Sequence, residues 1–553
     1  GYFPKQNRRR EAAGAGKENK RMRLCRRLLT FTLFCLAAAP TAAGDTYPRA
    51  AAIDAIHYRL QLTLTANSDE IRGETEILFQ FNADGVREIP LDFAGLTTDQ
   101  VMEEQRVARF TQAGEKLKVA LGGEYRRGDR CHVTVKYHGR PSDGLIIRKN
   151  KYGDFAYFGD NWPNRAHYWF PGIDHPYDKA TAEFLVTAPV GYDVIANGRL
   201  VEKRSLQNGS ELTHWREETP IPMYCMVVGA AQFDIYNVGM VPRDGADTPV
   251  SFYLFPKDRD KGVNGYGRAR EIVAFFSGLI GPYPYEKLSL VQSSTRYGGM
   301  ENASCVFLAE DAFDELLNAH EIAHQWFGDS VTESDWHHLW LSEGFATYFS
   351  ALFAERFDGR DKFLQLMLKD KESYLQQYAK DPRPVYDPSI TDLTKLLNAN
   401  NYQKGGWTLH MLRHLTGDEK FFAGIQDYYR TYRDRNALTE DFQRVMESHY
   451  GQPLGWFFKQ WIYEPGYPQL DAVWRWNESE KELTLRVEQT QPKTLFRLPL
   501  DVEFKLDQNA RRETVTLSER AQSFTFKLAA KPRGVTIDPD EWVLKVLKLR
   551  AEE

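Results

Sequence analysis

Cysteine is scarce in this chain of 553 residues: there are five, and no two stand in a Cys-x-x-Cys spacing. That excludes a cysteine-built zinc site. Two of the five, Cys25 and Cys35, fall in an N-terminal stretch that reads as removable. Cys131, Cys225 and Cys305 then remain, enough for one bridge but not for a disulfide framework. A membrane-spanning run is also missing. The apolar stretch Leu28 to Ala39 is about a dozen residues, and a span needs roughly 20. No long basic block follows it. Beyond residue 43 the chain carries 61 Lys and Arg against 74 Asp and Glu, a net charge of −13. Nucleic acid is excluded as a partner on that balance. Internal repeats and low-complexity tracts are absent.

What is present is a long chain of ordinary globular composition, 42% hydrophobic and 27% charged, which calls for two to four domains. The first Met is Met22, and residues 1–21 read as an upstream extension. From Met22 the chain runs "MRLCRRLLTFTLFCLAAAPTAAGD". A basic start, a short apolar core and a small-residue end at Thr41-Ala42-Ala43 make residues 22–43 a signal peptide. The expected protein is exported, periplasmic or secreted, with no stable membrane span after cleavage.

Residues 45–245 alternate apolar and polar positions, as in "HYRLQLTLTA" and "GETEILFQFN", and predict an N-terminal all-β domain. Residues 246–465 turn mainly helical, with "RAREIVAFFSGLIG" and "GWTLHMLRHLTG" amphipathic and "EKLSLVQSS" a strand. "YEPGYPQL" breaks the pattern. Residues 466–553 return to short alternating strands and predict a small C-terminal β-sandwich.

Chemistry concentrates in "AHEIAHQWFGD", residues 319 to 329. His320 and His324 are four apart and share one helix face, so two imidazoles can meet one zinc ion. Glu321 stands beside a ligand, where it can act as general base toward a metal-bound water. A bare His-Glu-x-x-His also fits a solvated helix, so a third ligand matters. Glu343 follows His324 by 19 residues, room for a turn and a second helix. His337 and His338 compete for the role but fall on the connection, where a surface position is expected. "YGGMEN" places paired glycines and Glu301 after a strand, and glycine lets a backbone approach a ligand closely. "NYQKGGW" sets Tyr402 before a helix.

Together these stretches resemble the aminopeptidase N family of zinc metallopeptidases, within the gluzincins. Gly298–Asn302, His320–His324, Glu343 and Tyr402–Gly405 stand in the family's order and near its spacing. "HYWFPGIDHPYDKATAEFLVTAP" extends the likeness into the β region. The resemblance implies a multidomain α+β fold with a thermolysin-like catalytic domain, in a short form without the large helical C-terminal domain. It implies one zinc ion on His320, His324 and Glu343. Glu321 would be the base and Tyr402 the oxyanion donor. Gly298, Gly299, Met300, Glu301 and Asn302 would bind the substrate, with Glu301 on its α-amine. The implied reaction removes the first residue of peptides that have a free N-terminus.

The chain departs from the family pattern in three places. Ser342 replaces the usual Asn before the third ligand, and Asp329 replaces an Asn after "HQWFG". Where the family often carries Gln-x-Glu, ungapped matching puts Asp160 and Trp162. The second amine-binding carboxylate is then missing unless Asp160 supplies it. Two alternatives share the motif: a thermolysin-like endopeptidase, which needs no amine anchor, and a non-catalytic peptide-binding protein, which should have lost Glu321 or a zinc ligand. The family's epoxide-opening branch finds no specific support.

Overall fold

The computed structural model describes residues 45–552 apart from Asn208, Asp244 and Gln508. The expected extension and signal peptide lie outside the described residues.

Alternation in the N-terminal half becomes an eight-stranded sheet. Strand Ile53–Leu64 runs antiparallel to Ile71–Phe81 and parallel to Lys179–Pro189. Tyr58, Leu60, Leu62 and Leu64 point to one face and are buried, each worth about 1.5–3 kcal/mol on burial. A three-stranded sheet built on Lys116–Tyr125 and a four-stranded sheet containing Phe155–Gly159 complete this half.

The expected boundary at 245/246 cuts a hairpin. Strands Asp234–Arg243 and Ala246–Leu254 pair with each other, and the second runs parallel to Leu288–Ser293. Both belong to the five-stranded sheet of the helical region, which therefore begins near Asp234. Strand Asp234–Arg243 follows the preceding strands with the same kind of alternation, so composition did not mark the change of sheet.

That sheet ends in a two-residue strand, Gly299–Met300, bonded on one side only, to Phe307 and Leu308. Helix Glu315–His324 follows, and the Asp314 side chain caps it by accepting from the Leu317 N–H at 2.9 Å. Helix Trp340–Asp358 packs against it and stops at Gly359, whose φ is 93°. Helices Arg360–Tyr378 and Gly405–Thr416 flank the second. No helix among the described residues is long and apolar enough to cross a membrane.

The C-terminal region is a sandwich of a four-stranded and a three-stranded sheet. Phe504 and Phe526 meet between them, ring centres 4.7 Å apart. Cys131, Cys225 and Cys305 are buried and free.

Candidate metal centre

The helix Glu315–His324 sets His320 and His324 one turn apart, and Glu343 enters from the first turn of Trp340–Asp358. Their facing atoms form a nearly equilateral triangle. His320 Nε2 lies 3.1 Å from His324 Nε2 and 3.2 Å from Glu343 Oε2, and His324 Nε2 lies 3.3 Å from the same oxygen. A tetrahedral zinc with bonds of about 2.0–2.1 Å has ligand edges of about 3.3 Å. The three residues are the metal-capable cluster among the described residues, and the donor set fits zinc. Glu343 and His324 hold each other's charges, whereas burial and the neighbouring His324 push the His320 ring down. Burial pulls His324 down, but Glu343 outweighs it and pushes the ring up to about 10. Burial would raise Glu343, yet the two imidazoles hold it well below the usual carboxylate range.

His324 is oriented from behind. Its Nδ1 lies 2.9 Å from Ser342 Oγ and 3.2 Å from the Phe327 carbonyl. A proton on Nδ1 satisfies the carbonyl and leaves the Nε2 lone pair for metal. Ser342 thus fills the place where the sequence departs from Asn. Asp329, the other departure, is buried and accepts from Gln325 Nε2 at 2.8 Å. The same amide nitrogen donates to the Glu301 carbonyl at 2.6 Å, which ties the Glu301 segment to the metal helix.

A cleft of about 980 Å³ opens over the triad. Gly298, Gly299, Met300 and Glu301 line it, as do Glu321 and Tyr402; Asn302 does not and is buried behind. Gly299 explains itself: a Cβ there would stand 2.3 Å from Glu321 Oε1. Any side chain at 299 collides with the expected base. Burial first, then the charges of Glu301 and Glu343, push the Glu321 carboxyl well up. A cation among these carboxylates reverses that preference. Tyr402 sits in a π-helical turn, Asn400–Lys404, and its hydroxyl donates to Glu343 Oε1 at 2.6 Å.

Two expectations need correction. Asp160 does not reach the cleft. It is fully buried; Oδ1 takes the Arg165 guanidinium at 2.5 Å, and Oδ2 takes the Arg296 N–H at 3.0 Å and the Thr295 hydroxyl at 3.3 Å. Its carboxylate is committed to anchoring the loop before Tyr297, because a buried charge must be paired. Trp162, two residues on, lines the cleft instead. His337 and His338 are not on the surface. Both are buried, His337 between Asp335 and the Ile390 carbonyl, His338 on Thr439. Sequence reading also missed Gly344. A Cβ on it would lie 2.9 Å from Gly405 Cα, a contact that spacing alone does not signal.

Residues 267–461 match the peptidase family M1 domain and residues 54–225 the peptidase M1 N-terminal domain. Rat (Rattus norvegicus) glutamyl aminopeptidase is 24% identical over 536 residues, covering 88% of this chain and 56% of the rat protein. Tricorn protease-interacting factor F2 of Thermoplasma acidophilum is 28% identical over 413 residues, 70% of this chain and 50% of that protein. The chain thus spans about half the length of the curated relatives it matches. Among solved structures, the M1 zinc metallopeptidase of Deinococcus radiodurans superposes with a TM-score of 0.66 at 24% identity, over 74% of this chain and 93% of that one. Legionella pneumophila aminopeptidase A, in complex with aspartic acid, gives 0.79 at 17%, over 91% and 60%. With both domain models matched in order and the metal triad assembled within the second, this chain belongs to peptidase family M1.

Proposed function

We propose that the chain is a zinc-dependent aminopeptidase that removes the first residue from peptides with a free N-terminus. The observation that carries this is the cleft: it is lined both by a three-ligand metal site and by a further carboxylate, Glu301, next to the edge strand Gly299–Met300. Zinc held by His320, His324 and Glu343 supplies Lewis acidity toward a peptide carbonyl and a water. The open edge of Gly299–Met300 offers main-chain hydrogen bonds to an extended peptide. Glu321 takes the proton of the attacking water and returns it to the leaving amine. The Tyr402 hydroxyl turns from Glu343 to the oxygen that gains charge. Glu301 holds the ammonium and fixes the register at one residue. A thermolysin-like endopeptidase would gain nothing from that buried carboxylate. A mutant of the Deinococcus enzyme, solved with Tyr-Ser-Ala substrate, agrees with a peptide in such a cleft.

Aminoacyl-coumarin substrates with free and acetylated amines test the reading, each with and without chelator. Hydrolysis of the free form alone, lost on chelation and restored by zinc, is the expected pattern. Equal turnover of both forms would reject it. We also propose export, on residues 22–43 alone; N-terminal sequencing from the native host should find a start near Gly44.

A further inference from the structure

The cleft extends well past the metal ligands. On Trp340–Asp358 its lining continues from Glu343 to Thr347, one turn on, and to Ser350 and Ala351, a turn further. Helix Arg360–Tyr378 supplies a second wall. Leu366, Asp370, Ser373 and Gln377 all line the cleft, and their spacing of three or four puts one face of the helix on it. The Gln377 end of that face is tied to the segment before Tyr402, where Gln377 Oε1 accepts from the Ala399 N–H at 2.8 Å. Asp370 stands about 10 Å back along the axis from Gln377. That is toward the Gly359 corner, which Ser350 and Ala351 approach along the other helix.

Asp370 brings a charge to this wall that the fold does not use. Its side chain is half-buried, and it takes no hydrogen bond and no ion pair from any described residue. Asp160, by contrast, is held on both oxygens. Burial pushes the Asp370 carboxyl up to about 7, against the pull of the neighbouring Lys369. A carboxylate in this position has lost part of its hydration without gaining a partner, so a cation that enters the cleft stabilises it.

The direction of the substrate says where such a cation sits. With its amine at Glu301, an extended peptide on the edge strand Gly299–Met300 runs back toward Gly298. A Cβ at Gly298 would meet Leu317 Cδ2 at 3.8 Å, and Leu317 lines the cleft one turn before His320. Residues after the scissile bond thus leave the Glu301 end, where Trp162, Tyr297 and Met300 form the lining, for the rest of the cleft. We infer, resting on the aminopeptidase reading, that Asp370 is a specificity-determining residue on the leaving side of the scissile bond: it favours peptides whose second residue carries a cationic side chain, lysine or arginine.

Tripeptide amides and the zinc-loaded protein test this at pH 8, with release of the first residue followed by chromatography. Leu-Lys-Gly-amide and Leu-norleucine-Gly-amide differ by the ammonium on the second residue, and amidation keeps a terminal carboxylate away from Lys369 and Lys380, which also line the cleft. Asp370→Asn should lower the kcat/KM ratio, lysine over norleucine, by about 5-fold, the upper end for a partly exposed pair. Asp370→Glu, which keeps the charge, should retain most of the ratio. Melting should be unchanged in both variants, because Asp370 has no partner to lose. Lys-Leu-Gly-amide and norleucine-Leu-Gly-amide move the charge to the first residue, and there Asp370→Asn should change the ratio less than 2-fold. A second-residue ratio that Asp370→Asn leaves unchanged overturns the inference alone, and so does a larger change at the first residue than at the second. A wild-type enzyme that releases no leucine from either Leu peptide removes the aminopeptidase reading with it.

Discussion

Gly344 and Gly405 touch backbone to backbone: a Cβ on either would stand 2.9 Å from the other's Cα. Gly344 follows the ligand Glu343, and Gly405 follows the π-helical turn that carries Tyr402. Only glycine at both positions lets the two helices come close enough for Tyr402 to reach Glu343 at 2.6 Å. Gly344→Ala should therefore part them. We expect a loss of about 1–3 kcal/mol from overpacking, read in urea melts. The fall in kcat should be comparable to Tyr402→Phe. A Gly344→Ala enzyme with normal kcat would show that the contact does not set the tyrosine.

Ser342 orients His324 through a 2.9 Å hydrogen bond. Removing such a partner typically costs 10–100-fold in metal affinity. Ser342→Ala should lose zinc to a chelator at correspondingly lower concentration, while Ser342→Asn should hold it nearly as the wild type does. Unchanged zinc affinity in Ser342→Ala would leave the Phe327 carbonyl as the orienting group.

Much of this site was legible beforehand because its ligands sit on local, periodic elements. His320 and His324 share one helix face by spacing alone, and Glu343 is one short connection away. Tyr402 and Glu301 were placed by resemblance to ordered motifs. What escaped depends on long-range packing. Asp160 looked free for an ammonium until Arg165 and the Arg296 amide were seen to hold it. Gly344 meets a residue 61 positions on. The 245/246 boundary failed for a related reason: one alternating pattern served strands of two different sheets.

Asp160 illustrates how a charge can be structural. Arg165 has a side chain only 12% exposed, so removing its carboxylate strands a guanidinium in the interior. Breaking a buried pair on one side costs about 3–5 kcal/mol. Asp160→Ala should melt well below the wild type. Its remaining folded fraction should discriminate free from acetylated substrates as the wild type does. A stable Asp160→Ala protein that has lost amine selectivity would restore Asp160 to the substrate.

On the proposed mechanism Glu321 and Tyr402 act on different atoms, and their variants should differ accordingly. Glu321→Gln keeps the volume and the contact with Gly299 but removes the proton acceptor. General-base catalysis contributes about 10²–10⁴-fold, so kcat should fall by that factor with KM little changed. Tyr402→Phe removes one hydrogen bond to developing charge and should lower kcat by about 10²–10³. It also frees Glu343 Oε1 from a 2.6 Å bond. Zinc content near one equivalent must therefore be checked in both proteins by elemental analysis. If Tyr402→Phe loses metal in step with activity, the hydroxyl serves the ligand and not the oxyanion. If it keeps its metal and loses kcat, the transition state is where the hydroxyl acts. Glu321 touches no ligand atom, so Glu321→Gln should keep zinc in every case. Near-normal kcat in that variant would remove the residue from the reaction.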